Sequence, residues 1–72
     1  MVEWIAVQSS RIVAAAYDAE RETILVQFPD GVRWWYSGCS REVWDEFLNP
    51  ATSKGRYIKD VLDNHPHGRY DG

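Results

Sequence analysis

The sequence predicts an α+β fold: a three-stranded antiparallel β-meander followed by two short α-helices packed on one face. Residues 23–37 contain two alternating apolar runs around Pro29-Asp30-Gly31, the pattern of a β-hairpin. Beyond Gly38 the apolar spacing changes from every second residue to threes and fours, as helices require. A chain of 72 residues with four Trp, four Tyr and two Phe is one domain. At that size folding hides only about 60% of the chain's surface, so large aromatics must fill the core.

Trp4-Ile5-Ala6-Val7 forms a short apolar stretch in residues 1–8, read as an extended segment able to pair at a sheet edge or cover one end of the core. Ser9-Ser10 interrupts it as a local hydrogen-bonding turn. Residues 12–17 make the first strand, although Ala14-Ala15-Ala16 has helix propensity; three alanines on a strand leave room for something bulky. Residues 18–22 are charged and have hairpin-loop length.

In the second strand Ile24, Val26 and Phe28 share one face, with Leu25 and Gln27 on the other. Pro29 supplies the φ wanted early in a turn, and Gly31 takes the positive φ that closes it. Val32, Trp34 and Tyr36 then repeat the inward spacing. Arg33 and Trp35 lie on the opposite, mixed face, which is either half covered or exposed for a partner.

Ser40 is placed to cap a first helix with Glu42, Asp45 and Glu46 in its early turns and Val43, Trp44, Phe47 and Leu48 as its apolar stripe. Asn49-Pro50 ends it. Thr52 or Ser53 caps a second helix, whose stripe is Tyr57, Ile58, Val61 and Leu62. Residues 63–72 hold little apolar material beyond Tyr70 and read as a flexible tail.

Several function classes are disfavoured by composition. No apolar run approaches the roughly 18 residues of a membrane span, and no basic segment precedes a cleavable apolar stretch, so neither a membrane role nor a secretory leader is expected. One cysteine, Cys39, makes no internal disulfide and points to a reducing compartment, the cytoplasm. Cys39, His65 and His67 form no recognisable catalytic set, although a position near a helix start would lower the Cys39 pKa. His65-x-His67 with Cys39 or Asp63 lacks the paired spacing of structural zinc sites. The expectation is a non-enzymatic protein without metal or cofactor.

The run Ser9-Ser10-x-Ile12, Tyr17-Asp18, Leu25-Val26-x-Phe28-x-x-Gly31, Trp34-x-Tyr36 and Ala51-x-Ser53-x-Gly55-x-Tyr57 resembles the KTSC domain. That short module occurs at the C-terminus of some lysyl-tRNA synthetases and as stand-alone small proteins of bacteria and phages. The resemblance covers residues 9–62, between the extended segment 1–8 and the tail 63–72. Trp34-x-Tyr36 replaces the family's central Tyr-x-Tyr, and Cys39-Ser40 replaces its Val-Pro; both changes are compatible with the fold. The resemblance implies no settled activity, though RNA binding has been proposed for the family.

The net charge of -3 argues against nucleic acid, since phosphate affinity comes mostly from Lys and Arg. Yet residues 50–72 hold Lys54, Arg56, Lys59 and Arg69 against only Asp60, Asp63 and Asp71. Within Ala51-Thr52-Ser53-Lys54-Gly55-Arg56, hydroxyls, helix-start N–H groups, a small glycine and two cations would suit a phosphate. The competing reading is that Ser53 caps its helix and Gly55 lets Tyr57 pack; both can hold. Two functions follow. One is a module that binds a protein partner through the mixed sheet face and Trp35. The alternative is an accessory RNA-binding domain using Arg33, Trp35, Ser53, Lys54, Gly55, Arg56 and Lys59 as nucleic-acid or anion contacts.

Overall fold

A computed structural model describes residues 2–71. Its elements are β1 (Ile5–Ala6), β2 (Ala14–Asp18), β3 (Thr23–Gln27), β4 (Arg33–Tyr36), α1 (Arg41–Leu48), α2 (Lys54–Asp60), a 3-10 turn (Leu62–Asn64) and β5 (His67–Arg69). The strands form one antiparallel sheet in the order β1-β2-β3-β4-β5.

The α+β class and the two helices agree with the sequence reading, but the sheet has five strands rather than three. The central meander is the predicted one, with Ala15 opposite Val26 and Val26 opposite Trp34. At its turn the Gly31 N–H donates to the Phe28 carbonyl (2.9 Å), and Gly31 has φ +90, a conformation costly for residues with a Cβ. Asp30 Oδ1 accepts from the Val32 N–H at 3.0 Å and holds the loop closed.

Both additional strands come from the chain ends. β1 pairs Ile5 with Ala15 and Ala6 with Ala14, the edge pairing open to residues 1–8. β5 overturns the flexible-tail reading for part of residues 63–72, pairing Gly68 with Trp35 and His67 with Tyr36. Its stabilisation comes from the strand it joins. The Ser37 N–H donates to the Pro66 carbonyl (2.9 Å) and the Tyr70 N–H to the Arg33 carbonyl (2.8 Å), while the His67 ring lies 5.4 Å from Tyr36 and 6.0 Å from Trp34. Glycine at position 68 is required by close approach, because a Cβ there would lie 2.8 Å from the Trp35 ring.

The core lies between the sheet and helices. Ala15, Ile24, Val26 and Tyr36 meet Trp44, Phe47, Tyr57, Ile58 and Leu62, all buried. Ser40 caps α1 by accepting from the Val43 N–H, and the Trp44 ring stacks on Tyr17 at 5.4 Å. Tyr17 in turn donates its hydroxyl to the Cys39 carbonyl at 2.7 Å, which pins the entry to α1 against the sheet. Leu25 is also buried, although it points to the face opposite the helices.

Candidate functional site

The predicted contact residues separate onto two sides of the sheet. Arg33 and Trp35 lie on the face away from the helices; Ser53, Lys54, Gly55, Arg56 and Lys59 lie at the start and along the body of α2. They do not form one surface.

On the first side, the chain's own groups occupy the cation and the ring. Arg33 Nε donates to Gln27 Oε1 at 3.0 Å, and its guanidinium sits 4.8 Å from the Trp4 ring centroid. Trp4 packs at 6.4 Å from Tyr70, so residues from both ends of the chain meet over this face. Trp35 is half-buried, with Gly68 against its ring. A hollow of about 270 Å³ remains beside Leu25, Trp35 and Tyr70, with Asp18 and Arg21 at its rim 3.9 Å apart.

The second side is open. A cleft of about 580 Å³ is lined by Ser9, Ser10 and Arg11 from the β1–β2 loop and by Ser53, Gly55, Arg56, Lys59 and Asp60 from the second helix region. The loop is set by Ser9, whose hydroxyl accepts from the Arg11 N–H at 3.1 Å. Arg11 then crosses to the helix, and a Cβ on Gly55 would meet its Nε at 3.0 Å and its Cγ at 3.2 Å. Glycine at position 55 therefore makes room for the arginine stem. Three cations converge with three serine hydroxyls, against the single carboxylate of Asp60. The sequence assigns Arg11 no role and Ser9-Ser10 only a turn and the start of the family motif, because the loop crossing that unites them with α2 has no local signature.

Two expectations within the segment are corrected. Ser53 occupies the N-cap position of α2, but its side chain makes no cap hydrogen bond. Thr52 does not take over, since its hydroxyl donates to the Glu46 carbonyl (2.9 Å) and locks the turn to α1. Lys54 is not a freely projecting cation: its ammonium donates to the carbonyls of Asn49 (3.0 Å) and Thr52 (3.3 Å) and lies 5.8 Å from the Phe47 ring. It neutralises the carbonyl-rich C-terminal end of α1.

Cys39 does not have a lowered pKa. It is fully buried with its Sγ 3.4 Å from the Tyr36 carbonyl, and burial pushes the thiol pKa up. The Tyr36 phenol is pushed up to about 12, and the Tyr57 phenol is also raised, both mainly by burial. Neutral at ordinary pH, these groups act as packing elements. Among the described residues no three His, Cys, Asp or Glu side chains gather as a metal site, and no helix is long and apolar enough to cross a membrane.

The chain is 34% identical over 56 residues to a curated protein of Tsukamurella paurometabola, covering 78% of this chain and 82% of that one. Its fold is similar to the crystal structure of a KTSC domain protein from Yersinia pestis, with a TM-score of 0.88 and 25% identity, covering 97% of this chain and 99% of the other. The KTSC domain profile matches residues 8–65, a span that takes in both walls of the cationic cleft. This small protein belongs to the KTSC domain family.

Proposed function

We propose that this protein is a non-enzymatic interaction module that binds an acidic segment of a protein partner in the cleft between the β1–β2 loop and α2. The observation carrying the reading is the convergence of Arg11, Arg56 and Lys59 with Ser9, Ser10 and Ser53 on one concave surface. Guanidinium and ammonium groups beside hydroxyl donors are complementary to carboxylates. The same cations would attract phosphate, but no aromatic side chain lines this cleft. Single-stranded RNA is normally held by base stacking as well as charge, and Trp35 is on the other side of the sheet. A protein partner is therefore favoured over RNA. The unpaired, buried Cys39 accords with the cytoplasm as its compartment.

Titration of the isotope-labelled protein with triglutamate and with a single-stranded oligouridylate, at low and moderate salt, tests this. Triglutamate is expected to shift the Arg11, Arg56 and Lys59 amides, with binding weakened at moderate salt and lost in Arg56→Ala with Lys59→Ala. Tighter binding of the oligonucleotide would transfer the cleft to RNA, and binding of neither probe would overturn the proposal.

A further inference from the structure

We infer that the ligand is an extended polypeptide segment that adds alongside β1 and sets its acidic end among Arg11, Arg56 and Lys59. This rests on the anion-binding reading above and names the form of the partner.

β1 is the outermost strand on that side of the sheet. The Val7 N–H donates to the Val13 carbonyl at 3.2 Å, while Ala6 pairs with Ala14. In an antiparallel ladder, hydrogen-bonded and non-hydrogen-bonded pairs alternate, so Ala6 turns its N–H and C=O away from β2. Ala6 is exposed. Facing this edge is the turn between α1 and α2, and between them runs a groove of about 590 Å³ walled by Ile5, Ala6 and Val7 on one side and Leu48, Pro50 and Thr52 on the other.

Groove and cationic cleft share Ser9 and Ser53 as lining residues, making them successive stretches of one trough. Its first part offers an unpaired main-chain edge with mixed walls, where Ile5, Val7, Leu48 and Pro50 stand beside Gln8, Thr52 and Lys54. Its second part offers positive charge. A strand matches both: its backbone continues the ladder, its alternate side chains enter the groove, and carboxylates at one end meet the cations. The rest of the chain carries the excess of acids behind the net charge of -3, which disfavours an acidic segment elsewhere on the surface. Because β1 spans only Ile5–Ala6, the ladder adds few bonds, and affinity requires both parts of the trough.

The probes are triglutamate and two short peptides alternating threonine and valine, with a pair of glutamates at the C-terminal end in one and at the N-terminal end in the other. Each peptide is also made with alternate amides N-methylated. One of the two peptides is expected to bind more tightly than triglutamate and to shift the Ala6 and Val7 amides as well as those of Arg56 and Lys59. N-methylation is expected to weaken it about tenfold by removing ladder bonds. Ala6→Pro removes the outward N–H at the kind of edge position where proline is tolerated, and is expected to weaken peptide binding about tenfold while leaving triglutamate unchanged. If triglutamate binds but the peptides bind no better, or if N-methylation has no effect on the parent protein, strand addition is overturned and the cationic cleft stands. If triglutamate and the peptides all fail to bind, both readings fall.

Discussion

Arg33 and Arg56 carry the same guanidinium, but the fold treats them differently. Arg33 is held on the sheet face by Gln27 and the Trp4 ring. Arg56 lines a cleft beside Arg11 and Lys59, and among the described residues its guanidinium takes part in no hydrogen bond or ion pair. The first face is closed by the chain's own ends: Trp4 and Tyr70 meet there, and Val13 is the one large hydrophobic left exposed among the described residues. A cation already matched within the fold contributes to stability, whereas one left in a concave surface is available to a ligand. Residue type and sequence position do not separate these cases; the partners do.

The sides also differ in how much packing supports them, and the largest expected effect lies on the helix side of the sheet. Trp44 stacks on Tyr17 and packs 6.1 Å from Phe47, joining α1 to the sheet. Trp44→Ala is expected to cost about 3–5 kcal/mol in chemical denaturation, a large share of the roughly 5–15 kcal/mol available to a small domain. An unchanged unfolding midpoint would mean that the Trp44 contacts are not what holds α1 against the sheet.

On the opposite face the weak point is the approach of β5 to β4. Gly68→Ala places a methyl group 2.8 Å from Trp35 Cζ2, so either the ring or β5 must move, at an overpacking cost of about 1–3 kcal/mol. Hydrogen exchange should quicken at Tyr70, whose N–H bonds to the Arg33 carbonyl, and remain unchanged in α1. Equal acceleration in both places would show that the two sides unfold as one unit and that the contrast between them is only geometric.

The fold was legible wherever periodicity was strong. Ile24, Val26, Trp34 and Tyr36 alternate, Trp44 and Phe47 follow helical spacing, and Asp30-Gly31 marks the turn; each signal lies within a few neighbouring residues. β5 was not legible because His67-Gly68-Arg69 has almost no apolar character, and its stabilisation comes from β4 rings distant in sequence. The candidate site was legible in the same partial way. Ser53, Gly55, Arg56 and Lys59 stand out as a local cluster, but Arg11 joins them only through a loop crossing that Gly55 makes possible. Arg33 and Trp35 were grouped with that cluster by chemical type, and the alternation of side chains across the sheet places them elsewhere.

The smallest expected effects test the contrast most directly, because they compare two arginines by the same measurement. Arg33→Ala removes a guanidinium stacked 4.8 Å from Trp4 and bonded to Gln27, and truncates an aliphatic stem in a half-buried position. The expected loss is about 1–2 kcal/mol, combining the cation–π contact with lost packing. Arg56→Ala, on an exposed residue of α2, is expected to change stability by no more than about 0.5 kcal/mol in either direction. In the triglutamate titration the order should invert, with Arg56→Ala weakening binding and Arg33→Ala leaving it close to the parent. Should both arginines contribute equally to stability and to binding, the division into a matched cation and an available one would be wrong, and the ligand surface would have to extend around the sheet.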